Sequence, residues 1–415
     1  MKSNKQIDKA SSIQEKRSKN YVMSILMCFG MTFIVCGHVA AGTGGAGAGI
    51  NFAFNIFPAA SFHVPLFIFV SGYFYKSSYE QTPRTFIKKR IFRLIIPLYV
   101  LTFVYAALTA LLHKCGFQIG EDVTLYNLLL DPLFGGHAFR WNMCLWFVAP
   151  LFCVQVIDFC IRFMVKAKSA VSKNIIITAI YFAVAFVSVC IILGTRGTAG
   201  FEEYSSSPAI LVARICFFLP WFALGQLYKT ALEKHDKAPG WLYFGVVIGL
   251  QIILMCITKG NVSYVISWCW FTSSRFVPFA STILGIAFWL RVSKCLAPAL
   301  KNSKLMNYFA SNTFSVMAHQ FAGFMLVKAA FAALAAAGII ADFDFATFAT
   351  NIWYYYIPSA LAQSSSATSA FCTIYIAAGI AIPLSIHWLW AKVKLKHKVK
   401  KEIILGLSTN RGGRQ

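Results

Sequence analysis

The chain has 415 residues, of which 58% are hydrophobic, 16% aromatic and only 13% charged, with a formal net charge of +24. That balance lies far from the soluble globular average and points to an all-α integral membrane protein, a polytopic bundle of spans. It excludes nucleic-acid binding as the meaning of the charge, because the basic residues are spread over six short segments between apolar runs and build no soluble basic domain.

A span needs roughly 20 mostly apolar residues, and about ten such runs follow one another: 21–41, 57–76, 93–112, 142–165, 175–194, 210–229, 241–258, 276–292, 313–337 and 368–391. The runs 57–76 and 276–292 carry polar residues and are the two open to tilting or re-entry. A basic tail, 1–20, precedes the ten-span domain of 21–391, and a second basic tail, 392–415, follows it. The first run has no small-residue cleavage site and reads as a retained span. Of the 38 Lys and Arg, 30 fall in the two tails and in alternate loops. Flanking basic residues stay cytoplasmic, so both termini are expected there, an arrangement that needs an even number of spans. The segment "KVKLKHKVKKEIILGL" reads as an amphipathic stretch lying on an anionic lipid surface.

The twelve cysteines sit mostly in apolar runs without CxxC spacing and read as small hydrophobes, with Cys115 and Cys269 nearest the outer side and open to oxidation. No zinc pattern, phosphate loop, dinucleotide fingerprint or internal repeat is present; "GTGGAGAG" lies between two spans and is a poor phosphate cradle. Neither a metal nor a bound cofactor is expected.

The longest stretches outside the spans, 113–141 and 338–367, are too short for a soluble domain. Chemistry is therefore expected inside the bundle or at its edges, where ionisable groups are costly and are functional candidates by default. His38 closes span 1, His63 opens span 2, Arg214 lies in span 6 and His319 in span 9. A lone interfacial histidine is ordinarily a packed, hydrogen-bonded one, but two at similar depth on consecutive spans suit general base catalysis. Arg214 and Lys328 read as snorkelling to the faces, Asp158 and Arg162 as an i,i+4 ion pair, and outer acids such as Glu121 and Asp342 as solvated loop charge. At the mouth of span 3, "FIKKRIFRLIIP" places Arg90 and Arg93 on one helical face, either as a clamp for a phosphorylated ligand or as a positive-inside anchor.

Taken in order, the histidine at the end of span 1, "FHVPLFIFVSGYFYK", "KKRIFRLIIP", "WNMCLWFVAPLF", "FFLPWFALGQLYK", "PFASTILGIAFWLRVSK" and "YFASNTFSVMAHQF" resemble the acyltransferase-3 family of bacterial membrane acyltransferases over about 20–390. The resemblance implies a multi-pass protein of the bacterial cytoplasmic membrane. It would move an acetyl or other short acyl group from acyl-CoA to a hydroxyl of an envelope polysaccharide or lipid-linked sugar. It gives His38 the catalytic role and Arg90 and Arg93 contact with the acyl-CoA. The family pattern's arginine and acid ahead of that histidine are Met27 and Ser24 here, so His63, Arg140 or His319 are the candidates to supply the missing contacts. The alternative from another class is a proton-coupled secondary transporter or flippase-like carrier with a relay of His38, His63 and His319.

Overall fold

The computed structural model describes residues 20–43, 56–75, 82–272 and 274–404; residues 1–19 and 405–415 of the tails and most of the Ala40 to Gly49 loop lie outside them. All-helical architecture follows from the apolar runs, since backbone groups in lipid must be satisfied within the segment itself. Numbering the apolar helices in order gives α1 Tyr21–Gly42, α2 His63–Phe74, α3 Pro83–Lys114, α4 Met143–Met164, α5 Ala170–Arg196, α6 Pro208–Leu227, α7 Gly240–Thr258, α8 Val277–Leu300, α9 Thr313–Ala336 and α10 Ser365–Ile404. Among the described residues nine helices are long and apolar enough to cross a membrane, and α2 is the exception.

The second run thus departs from expectation. Of its twenty residues, twelve form α2, about 18 Å of helix against a hydrocarbon core of about 30 Å. Ahead of α2 the chain makes a 3₁₀ turn at Ala59–Ser61, Phe62 breaks the helical path with φ −152° and ψ −17°, and Tyr75 leaves the helix extended. The run 276–292, by contrast, continues into a full-length α8. Its polar residues are satisfied internally: Ser281 Oγ donates to Val277 O at 2.8 Å, and Thr282 Oγ1 donates to Pro278 O at 2.6 Å.

Helix α6 is the centre of the bundle, with 72% of its span window buried, whereas α7 has 11% and shows lipid-facing side chains almost all round. Small residues let the central backbones touch. A methyl group built on Gly72 of α2 would lie 1.9 Å from Phe222 O of α6, and one on Gly225 of α6 would lie 2.0 Å from Phe69 O of α2. The start of α1 is pinned to this pair. Asn20 caps α1 by accepting from Met23 N and donates to Tyr73 Oη at 2.7 Å, and that hydroxyl donates to Glu233.

Asp158 and Arg162 form the expected ion pair at 2.8 Å, enclosed in the bundle; Gln226 and Tyr181 donate to the Asp158 carboxylate, and Arg162 Nη1 donates to Asn174. Arg214 and Lys328 do not snorkel. Both are buried, Lys328 donating to Ile352 O at 2.6 Å beneath the Tyr355 ring, because neighbouring backbone offers acceptors closer than any interface. All twelve cysteines are free, and Cys269 is buried. Helix α10 runs unbroken through Ile404, about 60 Å long, so the basic stretch through Ile404 continues the last span instead of starting a separate surface segment.

Candidate functional site

One end of the bundle holds a cavity of about 490 Å³, the end at which α1 finishes and α2 begins. Its walls come from the last turns of α1, the 3₁₀ turn before α2, the segment 137–147, a tight turn at 264–270 closed by Val265 and Trp270, and Trp353. His38 and His63, expected from their positions on consecutive spans, both line it.

The imidazole of His38 is held by Gln320 of α9. Its Nδ1 lies 2.9 Å from Gln320 Oε1, while Gln320 Nε2 points at Met317 O (3.3 Å) and Cys144 Sγ (3.1 Å). A carbonyl oxygen accepts and cannot donate, so the amide must present its NH₂ to Met317 and its oxygen to the ring. His38 therefore carries its proton on Nδ1 and leaves a lone pair on Nε2. His63 is set the same way, with Nδ1 donating to Ala59 O at 2.5 Å. Two imidazoles with unprotonated Nε2 atoms thus share the cavity.

His319, the expected member from α9, is turned elsewhere: it hydrogen-bonds Tyr105 Oη on α3 at 2.6 Å. Consecutive helical residues point about 100° apart, so when His319 faces α3 its neighbour Gln320 faces α1. Arg140 stands behind the wall. It adopts a left-handed backbone (φ 57°), stacks its guanidinium 3.2 Å above Tyr204 and pairs with Glu121 at 3.6 Å.

A third imidazole, His137, lines the cavity although it falls in the stretch 113–141, where the sequence predicts only a loop between spans. The loop is folded inward. The buried Asp131 carboxylate accepts from His137 N and Ala138 N, each at 3.0 Å, and His137 is 2% exposed. Its ring lies 4.2 Å from Trp268, and its Nε2 faces Arg214 Nη2 at 3.4 Å. Burial holds its pKa well below the ordinary histidine value, with the charges of Arg214 and Arg140, and His38, acting in the same direction. The Gly135–Gly136 pair was the available signal: a side chain on Gly136 (φ 77°) would meet the Trp146 backbone at 2.7 Å, which marks a chain pressed against a helix.

Arg90 and Arg93 lie at the opposite end of α2. Arg90 is tucked over Tyr75 (5.5 Å) and Phe86 (5.0 Å), and Arg93 is exposed. A π turn at Ile91–Ile95 separates their surroundings, since its wider winding rotates Arg93 away from the face that Arg90 occupies. Tyr75 follows α2 and His63 begins it, so the arginine end and the cavity are about 18 Å apart along the helix axis. Among the described residues no three His, Cys, Asp or Glu side chains are placed to hold a metal ion.

The bundle and its cavity define a multi-pass membrane protein whose polar chemistry is enclosed within its helices. Residues 23–388 match the family model for the acyltransferase domain Acyl_transf_3, and the chain belongs to that family. It is a membrane acyltransferase. No curated protein and no solved structure matches it.

Proposed function

We propose that this acyltransferase moves a short acyl group, acetyl being the expected one, from acyl-CoA to a hydroxyl of an envelope polysaccharide or lipid-linked sugar. The observation that carries this reading is His38: an imidazole whose tautomer is fixed by Gln320 and whose Nε2 lone pair, with only the Cys144 thiol near it at 3.9 Å among the described residues, belongs to a cavity of ligand size. His38 Nε2 takes the proton of the acceptor hydroxyl as that oxygen attacks the thioester carbonyl carbon. The carbon–sulfur bond then breaks, and the departing CoA thiolate recovers the proton from His38, so the protein ends the cycle unchanged. His63, with its Nε2 likewise free, is the second group able to handle that proton.

The donor enters from the Arg90 and Arg93 end, where guanidiniums suit phosphate oxygens. The stretch of about 18 Å along α2 is matched to an extended pantetheine arm, bringing the thioester to the cavity while the nucleotide stays at the surface. The arginines belong to one of the sequence segments that share 30 of the 38 Lys and Arg, and basic segments stay cytoplasmic, which supports entry of the donor from that side. Arg140 and His319 act from outside the cavity, the first through the wall segment and the second through α9.

The test is release of CoA thiol by the purified protein in lipid nanodiscs with envelope glycan as acceptor. His38→Ala should lower the rate by about 10²- to 10⁴-fold, and Arg90→Ala with Arg93→Ala should raise the KM for donor. Native-level transfer by His38→Ala would remove His38 from the mechanism. Absence of acyl-CoA turnover by the native protein with every envelope acceptor would favour the carrier reading.

A further inference from the structure

Three imidazoles line the cavity, and each neutral ring has one N–H to donate. Those of His38 and His63 are already used, on Gln320 Oε1 and Ala59 O. Two of the lining indoles are used as well, Trp270 Nε1 on Phe201 O at 2.6 Å and Trp353 Nε1 on Tyr204 Oη at 2.8 Å. The ring of His137 differs. A guanidinium only donates, so His137 Nε2 must accept from Arg214 and the ring proton sits on Nδ1. That Nδ1 is buried and has no hydrogen-bond partner among the described residues. A buried donor left without a partner costs about 1–3 kcal/mol, so its presence in a cavity wall points to a ligand atom that completes it.

The setting behind His137 is as unusual as the ring. Arg214 is fully buried, and among the described residues it makes no ion pair. It donates to Ser267 O, Phe134 O and Gly135 O and lies 4.6 Å from the Trp146 ring. Asp131, the carboxylate of the same loop, is occupied by the backbone N–H groups of His137 and Ala138. A buried charge held by neutral carbonyls polarises the imidazole in front of it while keeping that imidazole neutral.

We infer that His137 is a catalytic residue, its Nδ1–H donating to the carbonyl oxygen of the acyl group in transit, with Arg214 as the positioning residue that fixes its tautomer. The inference rests on the acyl-CoA reading above. The acceptor hydroxyl is the wrong partner for this donor, because that oxygen must offer its proton to His38 and its lone pair to the carbonyl carbon. The carbonyl oxygen gains the electron pair of the C=O bond when the hydroxyl adds, and loses it again when the carbon–sulfur bond breaks. A donor held at that oxygen stabilises the transient charge, and because Nδ1 is enclosed in the wall of the cavity, the wall must give slightly as the acyl group enters.

Three variants separate donation from packing. Asn places its amide nitrogen where Nδ1 was, Gln places it where Nε2 was, and Phe keeps only the ring stacked on Trp268. The probe is acetonyl-CoA, a ketone analogue that keeps the carbonyl and cannot transfer, bound to each protein in nanodiscs and read by isotope-edited infrared difference spectroscopy. In the native protein the carbonyl band should move to lower frequency on binding. His137→Asn should keep that displacement and much of kcat. His137→Gln and His137→Phe should lose the displacement and about 10²- to 10³-fold in kcat while still binding the analogue. Binding with an undisplaced band in the native protein, or equal bands in native and His137→Phe proteins, overturns the role of His137 and leaves the acyltransfer reading standing. Failure of the native protein to bind the analogue removes the acyl-CoA reading and this inference together.

Discussion

Replacing Gly72 by Ala tests whether the α2–α6 crossing holds the two halves of the site in register. The added methyl would lie 1.9 Å from Phe222 O, and 2.8 Å from Phe222 C, both backbone atoms that no rotamer change can move. A close carbon–oxygen contact needs about 3.3 Å, so the helices must part by at least about 1.4 Å at that point. Overpacking of this kind costs about 1–3 kcal/mol. The larger effect should be on function: α2 carries His63 and α6 carries Arg214, and misplacing reacting groups by about 1 Å can lower a rate about 10²-fold. The assay pairs thermal unfolding followed by size-exclusion chromatography with CoA-thiol release from the same nanodisc preparation. Gly245→Ala and Gly249→Ala on α7 are the controls, because nothing lies within 4 Å of a methyl group at either position. Native stability and native turnover in Gly72→Ala would refute the close crossing and the register argument built on it.

Gln320→Leu should lower turnover by orders of magnitude, since removing a tautomer-fixing partner has cost about 10⁴-fold where it was isolated; His319→Phe, facing Tyr105, should cost far less, and comparing kcat between the two decides it. Arg162→Met alone should destabilise the protein by about 3–5 kcal/mol by leaving Asp158 buried without its partner, whereas the double variant with Asp158→Asn should recover most of that loss in thermal unfolding. In the segment 338–367, the Tyr356 hydroxyl and the Ser359 backbone N–H hold the Asp342 carboxyl down at about 2, below its ordinary 3.8. A depressed carboxyl stabilises at pH above the ordinary value and is lost as pH falls through the lowered one. Pepsin cleavage within 338–367 should therefore set in between about pH 4 and pH 2, and should be present throughout that range in Asp342→Asn.

The helical bundle was legible because lipid leaves a spanning backbone no alternative, and hydropathy marks each run. The shortness of α2 was not, since Phe62 and Tyr75 end the helix through backbone angles within an otherwise continuous apolar stretch. His38 and His63 stood out as titratable groups in apolar surroundings. Gln320 did not, being neutral and next to the titratable His319; which of two adjacent residues faces α1 depends on the rotation of α9, and an almost uniformly apolar helix carries little periodic signal for that. His137 was hidden for a different reason. Loop burial is a tertiary event, and here it depends on Asp131 and on Arg214 arriving from a helix some eighty positions later. The same ambiguity made Arg214 and Lys328 look like residues reaching for water.

The brevity of α2 also bears on insulation. Where a full span would separate the two aqueous faces by the whole hydrocarbon thickness, here the cavity floor and the arginine mouth stand only about 18 Å apart. The pantetheine arm is left the side of α2 that carries Val64 and Phe67; the side packed into the bundle across that interval is apolar and tightly enclosed, with Phe62, Leu66 and Phe69 all at or below 1% exposure. These side chains act as an electrical seal as much as a core. Trimming them would let a thread of water join the two ends, and protons would run down whatever gradient the membrane maintains. Bulk at these three positions therefore counts against leakage as well as for packing.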